Sequence, residues 1–192
     1  MNFTRIGASL LVALWSVLLV AILPTGTTAA DKDDLAIALA GGKLTMKAPK
    51  DWIRKKPRTR IVEHEFAVTA VKGDKINGRV TFMRAGGGVE ANIQRWMNQF
   101  TQPDGKLTKE RTVIKKLKIA GQQVRWVDIR GTYKDRRGPV APAVLRKDYR
   151  MLGAIIGVKD LGDYFVKLYG PRRTISDSEK SFEGLIKSLR VK

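Results

Sequence analysis

Apolar residues recur at helical spacing in residues 89–100, and this segment organises the predictions for the rest of the chain. Val89, Ile93, Trp96, Met97 and Phe100 fall at i, i+4, i+7, i+8 and i+11, so they share one face of an α-helix. A strand at residues 78–84 and a run of three glycines precede this helix. Because a face that carries Trp and Phe requires a broad apolar surface, we expect the helix to pack on a β-sheet.

The segments on either side of the helix have the patterns of strands. Alternating or continuous apolar runs predict strands at residues 43–48, 60–70, 78–84, 111–120, 123–133, 149–158 and 163–169. A final amphipathic helix follows, with Ser176 as its N-cap and Glu179 as the capping-box partner. Short turns between consecutive strands indicate an α+β fold, a mostly antiparallel sheet of about six or seven strands covered by two main helices on one or both faces.

Residues 1–30 have the pattern of an export signal. Arg5 precedes the almost wholly apolar run 6–23, and small residues at positions 28–30 offer a cleavage site before Asp31. The apolar run is also near the minimum length of a spanning helix, so an uncleaved N-terminal anchor is the alternative. Both readings place the rest of the chain in the periplasm or outside the cell. We expect residues 31–42 to form a flexible lead and residues 43–192 to form a single domain.

Three segments, at residues 49–52, 85–100 and 149–171, resemble the PsbP-like domain family in their order and spacing. In the first two, the residues that carry the resemblance are Trp52, Asn92, Arg95, Trp96 and Gln99. The resemblance implies an α/β/α sandwich with an antiparallel sheet, no enzymatic activity, and a role in binding or assembly. A role in a photosystem is not implied, because the partner-binding segments of the photosynthetic subunit have no match here. We expect Asn92 and Arg95 to fix the helix to the rim of the sheet through hydrogen bonds.

The residue types that carry catalysis or bind metals do not form a motif in this sequence. Cysteine is absent, which excludes disulfides, thiolate metal sites and a cysteine nucleophile. His64, the only histidine, shares a strand face with Val62 and Phe66 and is expected in or near the core. Val89 and Glu90 follow the three glycines where a phosphate loop requires Lys and Ser or Thr, so we expect a bend. We therefore predict no catalytic site, no metal and no cofactor.

The charge of the chain points to anionic partners. Thirty-seven Lys and Arg residues against 18 Asp and Glu residues give a formal net charge of +19. Two basic clusters occupy segments that we expect to be loops, one after Trp52 and one within residues 133–148. They supply the candidate partner-binding residues, which are Arg54, Lys55, Lys56, Arg58, Arg60, Lys134, Arg136 and Arg137. If both loops lie on one rim of the sheet, they make a single positive field; the alternative is a solvated basic surface without a partner.

These patterns predict an exported, non-enzymatic binding or assembly domain that engages an anionic envelope component or an acidic protein, with contact to a membrane surface. Nucleic acid is not expected as a partner outside the cytoplasm. The alternative is a hydrolase-like extracytoplasmic enzyme with an unrecognised active site. Two converging carboxylates in a cleft, or an exposed His64 beside one, would favour the enzyme. A helix-covered sheet with its charges on one rim would favour the binding domain.

Overall fold

The computed structural model describes residues 35–136, 138 and 141–192, so the predicted signal segment and Arg137 lie outside the described residues. The strands are β1 Ala36–Leu39, β2 Leu44–Lys47, β3 Ile53–Lys55, β4 His64–Val68, β5 Gly78–Arg84, β6 Phe100–Thr101, β7 Val113–Ile119, β8 Gln122–Asp135, β9 Val144–Val158, β10 Gly162–Pro171 and β11 Arg190–Val191. The helices are α1 Val89–Met97, α2 Arg172–Asp177 and α3 Glu179–Lys187, with short 3-10 turns at Ala40–Gly42 and Thr108–Arg111.

The strands form two antiparallel sheets. The large sheet has eight strands in the order β3-β4-β5-β10-β9-β8-β6, with β7 also paired to β8. The small sheet has the order β1-β2-β11. The predicted α+β class with a large antiparallel sheet is confirmed. The large sheet has more strands than the six or seven predicted, and the prediction of two main helices roughly fits the three helices of the described residues.

Helices cover the large sheet on both faces. On one face, α2, α3 and the small sheet enclose a core in which Trp126 and Phe182 pack with ring centroids 5.2 Å apart. On the other face, α1 encloses a second core, where Trp96 meets Phe165 edge to face at 5.9 Å. Within the described range, no helix is long and apolar enough to cross a membrane.

Helix α1 packs closely on the sheet through the predicted apolar face. Ile93, Trp96 and Met97 are buried, and Trp96 lies directly over Gly153 of β9. A Cβ atom at position 153 would collide with the indole ring, so glycine is required there for the close approach of helix and sheet. This contact fixes the height of α1 above the sheet and leaves room for a cavity beside the helix.

Two segments that we expected to be irregular are strands instead. Residues 36–39 belong to β1 of the small sheet and not to a flexible lead. Ile37 and Leu39 of this strand are buried in the core, at 0% and 1% exposure. Residues 53–55 form the edge strand β3, paired to β4, so Arg54 and Lys55 do not lie in a loop. Residues 31–34 of the predicted lead lie outside the described range.

The hairpin of β8 and β9 is longer than predicted, and the last helix begins differently. Lys134 pairs with Leu145 and Asp135 with Val144, so backbone pairing shortens the expected loop at both ends. Ser176 lies inside α2 and does not cap a helix. Its hydroxyl oxygen instead accepts a hydrogen bond from Arg150, which also binds Glu179, so a buried arginine replaces the expected capping box.

Candidate functional site

A cavity of about 710 Å³ lies beside α1, on the face of the large sheet that this helix covers. We call it the α1 cavity. Residues from α1, β5, β8, β10 and the segment between β3 and β4 line it, and they are Arg58, Thr59, Ile61, Val62, Arg79, Thr81, Met83, Ala85, Asn92, Arg95, Trp96, Gln99, Tyr133, Asp135, Arg136, Phe165, Lys167 and Tyr169. The cavity therefore combines an apolar and aromatic wall with cationic side chains.

Strand alternation places a lysine inside the cavity. In β10, Phe165 and Tyr169 pack with the core under α1, while Val166 and Leu168 pack with the core under α2 and α3. Lys167 lies between Phe165 and Tyr169 in sequence and, by alternation, shares their face of the strand. A lysine in an otherwise apolar strand is thus directed into the cavity and away from the outer surface.

The ammonium group of Lys167 is surrounded by weakly polar partners. Its Nζ atom donates a hydrogen bond to Oε1 of Gln99 at 2.5 Å. It lies 4.7 Å from the ring centroid of Tyr169 and 5.4 Å from that of Tyr133, within the range of cation–π attraction. Burial, with a smaller contribution from the positive charge of Arg79, lowers the pKa of Lys167 to about 7. Near neutral pH, both protonation states are therefore populated.

Arg79 is held rigidly at the base of the cavity by a buried carboxylate. Its Nε and Nη2 atoms donate to the two oxygens of Glu65 at 2.8 Å each, and Nη1 donates to the hydroxyl oxygen of Tyr169 at 2.6 Å. Glu65 is only 3% exposed, and the hydrogen bond from Arg79 lowers its pKa. Arg58 lies 3.6 Å from the same carboxylate. Glu65 thus orients two cations toward one cavity.

The polar residues of α1 hold the glycine bend at the start of the helix. Asn92 Nδ2 donates to the carbonyl oxygens of Gly86 at 3.0 Å and Gly88 at 2.7 Å. Arg95 in turn donates to the side-chain oxygen of Asn92. Gly88 has a φ of 76°, which favours glycine. The expected bend is present, and among the described residues the side-chain hydrogen bonds of Asn92 and Arg95 go to this bend and to each other, where we expected bonds to the sheet rim.

The structure brings together only some of the predicted basic residues. Arg58 and Arg136, from the two separate clusters, both line the α1 cavity, and Arg95 of the helix joins them. All three are exposed. We call Arg58, Arg95 and Arg136 the cationic rim.

The other candidates lie elsewhere, and Arg54 has a structural role. Its guanidinium lies 4.6 Å from the ring centroid of Phe66, and its Nη2 donates to the carbonyl oxygen of Ala36 at 2.8 Å, so it attaches β1 to the opposite face of the sheet. Lys55 and Lys56 line a separate shallow groove beside Trp52, whose ring packs on Phe66. Lys134 lines a neighbouring groove under the end of α1, and Arg60 is exposed.

The lining of the cavity is strongly positive in its described part. Five cationic side chains, Arg58, Arg79, Arg95, Arg136 and Lys167, accompany one carboxylate, Asp135. Asp135 lies 3.4 Å from Arg146, which offsets its charge. His64 lies outside the cavity, with Nε2 2.8 Å from the carbonyl oxygen of Ala38 and Nδ1 3.3 Å from Arg54. The described residues bring no three His, Cys, Asp or Glu side chains together as a metal site would require.

Sequence reasoning missed Lys167 and the pair of Arg79 and Glu65. Lys167 could have been detected in the sequence, because it is a single lysine between aromatic residues of a mostly apolar strand. The pair was not detectable in the same way, because alternation places Glu65 on the strand face opposite to His64 and Phe66 without showing what covers that face. Glu65 is buried because Arg79 reaches it from the neighbouring strand β5.

No family model and no curated protein sequence matches the chain. Among solved structures, LpqN of Mycobacterium tuberculosis, described as involved in cell envelope biogenesis, has 7% identity and a TM-score of 0.51, with 81% of this chain and 88% of that chain covered. A cyanobacterial PsbP from Synechocystis sp. PCC 6803 has 11% identity and a TM-score of 0.48, with 82% of this chain and 91% of that chain covered. A Bacteroides thetaiotaomicron protein has 13% identity and a TM-score of 0.44; 82% of this chain aligns, but it spans only about half, 48%, of that longer chain.

These matches show the fold alone, since all identities are low. The likeness to LpqN supports the three-layer arrangement described above. A PsbP, the family that the three sequence segments resemble, is among the similar structures.

Proposed function

We propose that this protein is an exported, non-enzymatic binding domain that engages an anionic envelope component or an acidic protein through the cationic rim of the α1 cavity. The observation that carries the proposal is the convergence of Arg58, Arg95 and Arg136, from three separate parts of the chain, around one concave surface. A concave surface lined by charges of one sign focuses its field and attracts ligands of the opposite sign.

The charge of the rim is available to a partner because internal carboxylates offset it only partly. Arg58 has a side chain that is 76% exposed and lies 3.6 Å from Glu65, whose charge is shared with Arg79. Arg136 is exposed, and its Nη1 contacts a backbone carbonyl oxygen, that of Ala141, at 3.4 Å. Such contacts orient a guanidinium without neutralising it, so a carboxylate or phosphate of the partner can still bind.

We prefer binding over catalysis because the described lining of the cavity contains neither two converging carboxylates nor His64 beside a carboxylate. Its described lining contains the single carboxylate Asp135, and His64 contacts the backbone of β1. The partners of Lys167 are an amide oxygen and two aromatic rings. The described lining adds no histidine and no second carboxylate that could share acid–base chemistry with Lys167.

Export is supported by the pattern of residues 1–30 and by the involvement of LpqN in envelope biogenesis. N-terminal sequencing of the protein from an envelope fraction should give a start near Asp31. Recovery of the protein from the cytoplasm with Met1 in place would contradict export.

Neutralising the rim should weaken binding to anionic surfaces. We expect the double variant Arg58→Ser and Arg136→Ser to bind vesicles of phosphatidylglycerol and phosphatidylcholine several-fold more weakly than wild type in co-sedimentation at physiological salt. Binding by the wild type should fall steeply as salt rises, because screening shortens the range of exposed charges to about 8 Å at 0.15 M. A polyglutamate column run in parallel distinguishes an acidic protein partner from a membrane surface.

The matched control removes the same number of charges from the opposite face. Lys180 and Lys187 are exposed on α3, and the double variant Lys180→Ser and Lys187→Ser should bind nearly as well as wild type. Equal loss in both double variants would mean that net charge alone drives binding, and the proposed site would be wrong. Thermal unfolding of all three proteins should be similar, since exposed charges contribute little to stability.

A further inference from the structure

We infer that the interior of the α1 cavity binds a small amphipathic organic acid, in which an apolar body carries one carboxylate group. This inference names a ligand class for the proposed binding role and rests on it. It concerns the interior side chains of β5, β8, β10 and α1, which are different residues from the exposed arginines that we propose to contact a surface.

The size and lining of the cavity suit an apolar ligand body. At about 710 Å³ it falls within the range of roughly 300–1,000 Å³ that is typical of small-molecule sites. Trp96 and Phe165 form an edge-to-face aromatic wall, and Met83 of β5 and Ala85, just after this strand, extend it. These side chains offer apolar contact that inorganic anions cannot use.

Lys167 is the group best placed to bind the acidic end of such a ligand. A lysine ammonium has three donors, and within the described residues one of them is used, by Gln99. Lys167 also forms no ion pair with a described residue, although a partly desolvated cation gains from a carboxylate partner. Arg79, by contrast, already has a carboxylate partner, because Glu65 pairs with its Nε and Nη2 while Tyr169 accepts from its Nη1. A ligand carboxylate therefore supplies the partner that the chain does not provide to Lys167.

Binding of the acid should be linked to proton uptake. The charged or titratable groups around Lys167 are Arg79 from β5, Glu65 from β4, Tyr169 from its own strand, Tyr133 and Asp135 from β8, Arg95 from α1, and Arg58 and Arg136 from the adjoining segments. Burial raises the pKa of Tyr133, so it stays neutral across the relevant range. Because the pKa of Lys167 is about 7 without ligand, a bound carboxylate favours the ammonium form and raises this pKa. Affinity should therefore be nearly constant from somewhat above the pKa of the ligand's carboxyl group, about 4, up to pH 7, and should fall as pH rises above 7.

Two matched pairs of probes test this inference on the purified protein. Isothermal titration calorimetry with 2-naphthoate and 2-naphthalenemethanol, and with octanoate and octanol, compares each acid with its neutral alcohol. We expect at least one acid to bind about tenfold or more tightly than its alcohol, as a charge-assisted hydrogen bond implies. Inorganic phosphate should bind more weakly than that acid, because it lacks an apolar body. Tighter binding of octanoate would assign a lipid-derived ligand, and tighter binding of 2-naphthoate a soluble aromatic acid.

A lysine variant and a pH series locate the acidic group. Lys167→Met should lose most of the preference for acid over alcohol, and the fall in affinity above pH 7 should disappear with it. Lys134→Met, on β8 of the same sheet but in the neighbouring groove, should retain both properties. The pH series on wild type requires no variant, so it remains informative if Lys167→Met folds poorly.

Equal binding of acids and alcohols, or pH-independent affinity of the acids, would overturn the inference. Failure of both acids to bind would do the same. The proposed function fails in a different way, namely when vesicle binding is insensitive to Arg58→Ser and Arg136→Ser. That result leaves the binding of small acids in the interior unaffected.

Discussion

Replacing Trp96 with alanine is expected to lower the free energy of unfolding by about 3–5 kcal/mol, the range for truncation of a large buried aromatic residue. Trp96 is 7% exposed and packs on both Phe165 and Gly153. Gly153, which lies directly under the ring, has no side chain that could fill the space of the lost indole. Chemical denaturation followed by circular dichroism measures the change.

The matched control for this variant is Gln94→Ala on the same helix. Gln94 is exposed and contacts only Asn98 among its described hydrogen-bond partners, at 2.9 Å. Its replacement should change stability by less than about 0.5 kcal/mol. A loss below about 1 kcal/mol for Trp96→Ala would mean that α1 does not pack on the sheet as described.

The second large effect is expected at Arg150, where Arg150→Met should cost about 3–5 kcal/mol. The side chain of Arg150 is 2% exposed and donates to both oxygens of Asp128, at 2.9 and 2.7 Å, and to Glu179 at 2.8 Å. These bonds join β8 and β9 to the first turn of α3. Removal of the guanidinium leaves the largely buried carboxylate of Asp128 without its main partner.

Arg130 provides the control, because it contacts the same carboxylate from the surface. It lies 3.2 Å from Asp128 and its side chain is 55% exposed. Arg130→Met should therefore cost less than about 1 kcal/mol in the same titration. Similar losses for Arg130→Met and Arg150→Met would show that the buried network does not hold α3 to the sheet.

Local patterns in the sequence predicted the elements that have continuous periodicity. The strand at residues 78–84 and the apolar face of α1 were predicted because apolar spacing within one element reports which face is buried. The strands β1 and β3 have only four and three residues, and both were missed. Their stability comes from distant contacts, such as the hydrogen bond from Arg54 to Ala36, which a local pattern does not contain.

The site was predictable only in its exposed part. The sequence left open whether the two basic clusters share one rim; in the structure one residue of each, Arg58 and Arg136, lines the α1 cavity. Arg54 was grouped with them by charge, but the strand pairing of β3 turns its side chain toward Phe66 on the opposite face. Alternation along β10 predicts which face of the strand Lys167 shares. It does not predict the α1 cavity, which forms only where α1 packs on the sheet, so the place of Lys167 in the site could not be predicted.

The most direct test of the central claim, that anionic partners bind at the α1 cavity, is residue-by-residue mapping of that binding by NMR. Titration of isotope-labelled protein with dihexanoylphosphatidylglycerol, a soluble anionic lipid, should shift the indole N–H signal of Trp96 and the amide signals of Arg95 and Lys167. The indole signal of Trp126, which lies in the core under α3 on the opposite face, should not move. Shifts spread evenly over both faces, or concentrated on α3, would contradict the account.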